Sequence, residues 1–308
     1  MAPLHPDAIE EIVNRLTVLD RVQRVVFLGE GEFSQAWLVN DEWVCRFAKH
    51  AAAITSLQRE ACLLPRIAGR LSLAVPQPVC YPLPGDPVSA VAIHRLLAGD
   101  ALTHERFEAL DDAGQDHCAA QIAGFLAGFH ATDTALAESC GILRVDYRSR
   151  YGDGQERAEK HLLPRLDRAN RDYVQRIFDR FYSSEIGNPE NVALLHGDVG
   201  PDHVLWSPAR LHVLGILDFG DMEIGDVAWD VAYIREHYGS VFLNRFMRHF
   251  RSPDAKALLR RAYLLRELDA VEWAANVCAG EREGDPDRYL ARISAMAENE
   301  TRRMGSSS

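Results

Sequence analysis

Residues 194–203 read LLHGDVGPDH and residues 215–221 read GILDFGD. Between them stand two short apolar runs, VLW at 204–206 and LHVLGILDF at 211–219, separated by the turn-forming SPAR. Runs of this length around a Pro-bearing turn predict a β-hairpin. Asp198 and Asp218 then lie on the loops that flank one hairpin, from which both carboxylates can reach a shared cleft. The first segment ends in His203, five residues beyond Asp198.

Outward from this hairpin, the two halves of the chain differ in pattern. After a short N-terminal helix, VQRVVFLGEGEFSQAWLVNDEWVCRFAKH predicts three strands, the first breaking at GEG and the last two joined by Asn40-Asp41. Residues 52–69 carry helical apolar spacing up to Gly69. The Pro-rich VPQPVCYPLPGDP is turn and edge-strand material, PVSAVAIHRLL another strand, and LAGD a linker. From about 104 the pattern is mostly helical except at 192–219. We expect an α+β, protein-kinase-like two-lobed fold. Residues 1–95 are expected to form an N-lobe of β-sheet plus helix, and 96–308 a mostly helical C-lobe. The cleft falls near 93–99.

Composition narrows the function. The N-terminus has no apolar signal region and no apolar run would span a bilayer, so a cytoplasmic protein is expected. Six cysteines at 45, 62, 80, 118, 140 and 278 show no CxxC spacing, which points to reduced thiols rather than a disulfide framework or a zinc site. The net charge of −11 argues against a nucleic-acid partner. It is uneven. Residues 1–95 hold 9 Lys/Arg and 10 Asp/Glu, against 25 and 35 in the remainder, so the acidity lies in the helical half.

Two Asp residues flanking a hairpin suit phosphoryl transfer, which needs metal on the phosphates, a group that orients the attacking hydroxyl, and positive charge on the phosphate oxygens. HGDVGPDHVLW followed by GILDFGD resembles the catalytic segment of the aminoglycoside phosphotransferase family, which shares the protein-kinase fold. The resemblance implies that Asp198 is the catalytic, hydroxyl-orienting residue, with His203 and Asp218 as ligands of Mg²⁺. His196 fits as a buried scaffold residue behind the loop, and His130 has an equally structural reading. Asp230 is read as a brace of the catalytic loop.

LGEGEFS at 28–34 lies between two strands and reads as the loop over the nucleotide phosphates, with Gly29, Gly31, Phe33 and Ser34 in it. In the family the following strand carries a lysine paired with a glutamate of the next helix. Here Glu60 supplies the glutamate. The cation's place in WVCRFAKH is taken by Arg46, with Lys49 three residues on. Alternation along a strand turns the two opposite ways unless the strand ends between them. Arg46 is the expected phosphate-binding cation. The hinge from Ile93 to Leu96 should offer backbone groups to the base of ATP or GTP.

The chain from about 20 to 300 resembles the aminoglycoside 2″-phosphotransferases most closely, and the DH ending of the catalytic loop also resembles the macrolide branch. The implied acceptor is a cationic small molecule, an aminoglycoside, bound by a monomer without nucleic acid or membrane. An acidic pocket would hold a polycation, with Glu236, Glu267, Asp269 and Glu272 as candidates, of which helical spacing lets at most two share one face. Trp273 reads as core rather than as a sugar platform. Kinases of a macrolide or of another small alcohol, and a nucleotide-binding pseudokinase, are the alternative readings.

Overall fold

The computed structural model describes residues 5–16, 19, 21–83 and 86–305. The chain divides into two compact units, one of Met1–Leu143, Ala193–Ile224 and Tyr233–Arg251, the other of Arg144–Val192, Gly225–Ala232 and Ser252–Ser308.

In chain order the first unit opens with α1 (Pro6–Leu16), β1 (Val25–Glu30), β2 (Ser34–Val39), β3 (Trp43–Ala48) and α2 (Ala51–Ile67). It continues with β4 (Val79–Leu83), β5 (Asp86–Arg95), the short β6 (Asp100–Ala101), α3 (His104–Glu108), α4 (Asp112–His130) and α5 (Thr134–Ser139). α6 (Tyr147–Arg157) and α7 (Arg168–Tyr182) belong to the second unit. Then come β7 (Val192–Leu195), β8 (Val204–Ser207), β9 (His212–Ile216), β10 (Glu223–Asp226), α8 (Ala228–His249), α9 (Ala255–Ala279) and α10 (Pro286–Gly305). Among the described residues no helix is long and apolar enough to cross a membrane.

The first five strands form an antiparallel sheet in the order β1-β2-β3-β5-β4, with Pro-bearing β4 at an edge, where a missing ladder donor is tolerated. Asn40 and Asp41 both have positive φ, 54° and 56°, the backbone of a tight hairpin turn. Alternation then sorts β3 by face. Cys45 and Phe47 join Ile9 and Val13 of α1 in one core cluster, together with Trp37, Val91 and Ile93. Arg46, opposite Ala36 and Ala92, takes the other face, where Ala48 and Ala92 pack on Ala53 and Leu57 of α2. Burying a large apolar side chain such as Phe47 contributes about 1.5–3 kcal/mol, so a one-residue slip of β3 would lose the core and misplace Arg46 together.

β8 and β9 form the expected hairpin, and β6 pairs with β8 to make a sheet of three strands. β10 and β7 form a separate two-stranded sheet that the sequence patterns did not predict. α2 ends at Ile67, short of Gly69, and a 3-10 turn covers Ala68–Arg70. α8 is interrupted at Gly239, whose φ of 78° and ψ of 176° are not helical.

The cysteines depart from expectation. Cys62 of α2 and Cys140, next after α5, are joined in a disulfide. The remaining four are free thiols. Spacing along the sequence carries no signal for a pair 78 residues apart, so only packing within the first unit brings the two sulfurs together.

Candidate active site

The segment from Leu194 to His203 is built around His196, which is fully buried. Its Nδ1 accepts from the Asp198 amide at 3.2 Å, and its Nε2 lies 3.1 Å from the Leu217 carbonyl. The latter contact makes Nε2 the protonated nitrogen, so a neutral ring satisfies both loops at once. Gly197 has φ of 89°, and a Cβ there would lie 2.5 Å from the Asp221 carbonyl. Only glycine lets the two segments approach this closely.

Asp198, His203 and Asp218 converge. His203 Nδ1 lies 2.9 Å from the Asp198 carbonyl and 3.6 Å from its carboxylate Oδ2. A carbonyl accepts only, so Nδ1 carries the proton, and in the neutral ring the lone pair is on Nε2. That nitrogen faces Asp218 Oδ2 at 3.6 Å. A lone-pair nitrogen and a carboxylate oxygen facing each other suit a divalent cation between them. Among the described residues no group of three or more His, Cys, Asp or Glu side chains forms a metal cage. A donor set of two therefore fits an ion that takes its other ligands from phosphates and water, as Mg²⁺ does. Asp218 sits at φ 58°, a left-handed conformation uncommon for aspartate and concentrated at functional sites. Gly220 donates to Asp218 Oδ1 at 3.3 Å, and Ser56 of α2 donates to the Gly220 carbonyl at 3.2 Å.

Arg46 bonds Glu60 Oε2 at 2.6 Å and points its Nη2 at Asp218, 3.9 Å away. Burial works against the charge of Arg46, but Glu60 and Asp218 offset it and leave the guanidinium pKa above its ordinary value. Breaking a buried pair of this kind costs about 3–5 kcal/mol. β3 ends at Ala48, so Lys49 lies beyond the strand; its Nζ donates to the Gly31 carbonyl at 3.0 Å and faces Glu30 at 3.7 Å. Arg46 thus lies deep and Lys49 at the loop.

A cavity of about 380 Å³ joins these parts, lined among others by Gly29, Gly31, Phe33, Ser34, Arg46, His94, Leu96, His203 and Asp218. Ile93 is not in it. Its side chain packs in the core beside Cys45, because residues alternate along β5. The Leu96 amide donates to the Glu42 carbonyl at 2.7 Å, so that group is already engaged. His94, missed from the sequence, takes the cavity-facing position, and burial pushes its pKa down. Asp221, after the second motif, is pushed up to about 6 by desolvation and by the charges of Asp218, Asp198, Glu223 and Glu32.

A family model described as the phosphotransferase enzyme family matches residues 24–292. The chain belongs to that family. No curated protein matches it. Among solved structures, this phosphotransferase superposes on the GDP and kanamycin complex of APH(2″)-IIIa with a TM-score of 0.81 and 26% identity, covering 95% of this chain and 98% of that one. The GDP complex of wild-type aminoglycoside 2'-phosphotransferase-IIIa gives 0.83 and 26%, over 96% and 98%. Macrolide 2'-phosphotransferase MphH from Brachybacterium faecium shares the fold at 0.69 and 17%, over 93% and 97%.

The acids expected to hold the acceptor have varied surroundings. Glu236 lies exposed on α8 in the first unit. On α9 of the second unit, Glu267 is taken up by structure, accepting from Tyr173 Oη at 3.2 Å and from Arg180 at 2.8 Å. Asp269 pairs with Arg266 at 2.8 Å. Burial raises the Glu272 pKa, against the nearby charge of Arg150. Trp273 lies under the Arg282 guanidinium, 3.6 Å from its ring centroid. The sequence reading missed one neighbour of Asp198 altogether. His237 of α8 has its Nε2 3.7 Å from Asp198 Oδ1.

Proposed function

We propose that this phosphotransferase moves the γ-phosphoryl group of GTP or ATP to a hydroxyl of an aminoglycoside. The observation that carries the reading is the convergence of Asp198, His203, Asp218 and the Arg46–Glu60 pair in one compact unit. The kanamycin and GDP held by a structure that aligns over nearly the whole chain support an aminoglycoside acceptor and a nucleotide donor. The acidity of residues 96–308 suits a polycation, whose entry it would steer.

In this reading Asp198 accepts the hydrogen bond of the acceptor hydroxyl and takes its proton as the oxygen attacks. The new O–P bond forms, the bond from phosphorus to the β-phosphate oxygen breaks, and the nucleoside diphosphate leaves. Arg46, anchored by Glu60, sets a fixed positive charge at the phosphates, and Lys49 with Gly29, Gly31, Phe33 and Ser34 forms the cover over them. His203 and Asp218 would hold Mg²⁺, which when bound neutralises charge on the phosphate oxygens. The chain of 1–95 is proposed as the nucleotide lobe and 96–308 as the acceptor lobe.

The reading is tested by incubating the enzyme with ATP or GTP and a panel of aminoglycosides, macrolides and amino sugars, then weighing the products by mass spectrometry. A phosphorylated aminoglycoside supports it. Turnover confined to a macrolide or a small metabolite would replace the acceptor, and nucleotide binding without any turnover would make the chain a pseudokinase.

A further inference from the structure

The two oxygens of Asp198 face two different imidazoles. Oδ2 lies 3.6 Å from His203 Nδ1, and Oδ1 lies 3.7 Å from His237 Nε2. His203 is committed elsewhere, since its Nδ1 proton goes to the Asp198 carbonyl at 2.9 Å. His237 is held from several sides. Its ring stacks on Tyr233, with centroids 5.4 Å apart and planes 29° apart. Its other edge lies over Gly200, where an added Cβ would sit 3.5 Å from Nδ1. The helical run carrying it ends two residues later at Gly239. A ring fixed in this way is a preorganised group aimed at one oxygen of the Asp198 carboxylate.

We propose that His237 is a positioning residue, whose Nε2–H closes onto Oδ1 of Asp198 and holds the carboxylate in the rotamer that meets the acceptor hydroxyl. The gap exceeds a hydrogen bond by less than an ångström, and such contacts commonly tighten when the substrates bind. A neutral donor suits the task, because a carboxylate bonded to it stays anionic and can still take a proton. An imidazolium would instead bind Asp198 as an ion pair and withdraw it from the hydroxyl. The groups around the ring are Asp198, Asp202, His203 and His104; burial lowers the His237 pKa, while Asp198 and Asp202 raise it. The inference rests on Asp198 being the residue that meets the hydroxyl, and goes beyond that assignment in giving it a partner.

The experiment compares wild type, His237→Leu and His237→Gln in phosphoryl transfer. It also follows the His237 ring proton by NMR titration in wild type and in Asp198→Asn, with His237→Gln assigning the signal. His237→Leu should lower kcat by about 10- to 100-fold with both KM values unchanged, as loss of an outer partner does. The amide of His237→Gln, which can reach Nε2's place, should bring kcat back to within a few-fold. Asp198→Asn should move the His237 midpoint to lower pH, because it removes the anion that favours imidazolium. Wild-type kcat in His237→Leu, equal losses in Leu and Gln, or a His237 midpoint indifferent to Asp198→Asn would each overturn the proposal. If the wild type phosphorylates no aminoglycoside, the acceptor reading fails by itself. The NMR titration, which needs no acceptor, then decides the His237–Asp198 coupling alone.

Discussion

Arg46 Nη1 lies 2.6 Å from Oε2 of Glu60, a carboxylate buried in the middle of α2, while its Nη2 looks toward Asp218. One side chain therefore links a strand lining the cavity to the helix behind it and to the candidate metal ligand. The planar guanidinium reaches both acids at once, which the shorter, single-point ammonium of a lysine cannot do with fixed geometry.

Arg46→Ala should abolish phosphoryl transfer and destabilise the fold by about 3–5 kcal/mol, because Glu60 is left as a buried unpaired charge. Arg46→Lys should keep the fold and lose part of the rate. Lys49→Ala should change the nucleotide KM only a few-fold, since its contacts are an exposed carbonyl and Glu30. Steady-state kinetics with thermal melts rank the three. A larger loss in Lys49→Ala than in Arg46→Ala would exchange their roles.

His203 presents an imidazole lone pair where many kinases place an amide oxygen. Nitrogen is a softer ligand that suits Mn²⁺ better than Mg²⁺, so the wild type should tolerate Mn²⁺ well. His203→Asn should move the preference toward Mg²⁺. Rates measured across both metals check this. An unaltered rate and metal preference would make His203 a bystander.

Gly197→Ala forces a side chain into a left-handed backbone and against the Asp221 carbonyl. Backbone strain alone costs about 1–3 kcal/mol. The expected result is a Tm lowered by several degrees and a kcat that falls much more than nucleotide affinity. A variant with normal kcat would show that the two segments can part without harm.

Asp221 gives a pH dependence whose sign follows from linkage. Its folded pKa of about 6 stands above the ordinary 3.8. Between those values the folded state holds a proton that the unfolded chain releases, so stability falls as pH rises through the window. Asp221→Asn removes the penalty. In metal-free buffer it should melt above the wild type at pH 7, and the difference should vanish below about pH 4. A difference independent of pH would assign the effect to packing.

What could be read from the sequence was local or regularly spaced. The five-residue step from Asp198 to His203, the hairpin that follows, and the alternation that sends Arg46 and Cys45 to opposite faces are all set by periods of a few residues. Contacts made by folding were not legible. Ser56 meets Gly220 across 164 residues, and Cys62 finds Cys140 across 78. His237 was hidden for the same reason, sitting beside Glu236 in a segment read only for its acids. His94 was passed over although it neighbours Ile93 along β5 and faces the cavity. Glu267 looked like a ligand for a cation and instead bonds Tyr173 and Arg180, because nothing in a helical pattern says which face another helix covers.

The most direct test of the central claim compares wild type with Asp198→Asn, with GTP or ATP, Mg²⁺ and kanamycin, by mass spectrometry of the antibiotic. The account predicts that wild type adds one phosphoryl group to kanamycin. It also predicts that Asp198→Asn, still binding nucleotide, slows the reaction by about 10²-fold or more. Kanamycin left unmodified by the wild type, or phosphorylated equally fast by Asp198→Asn, would contradict it.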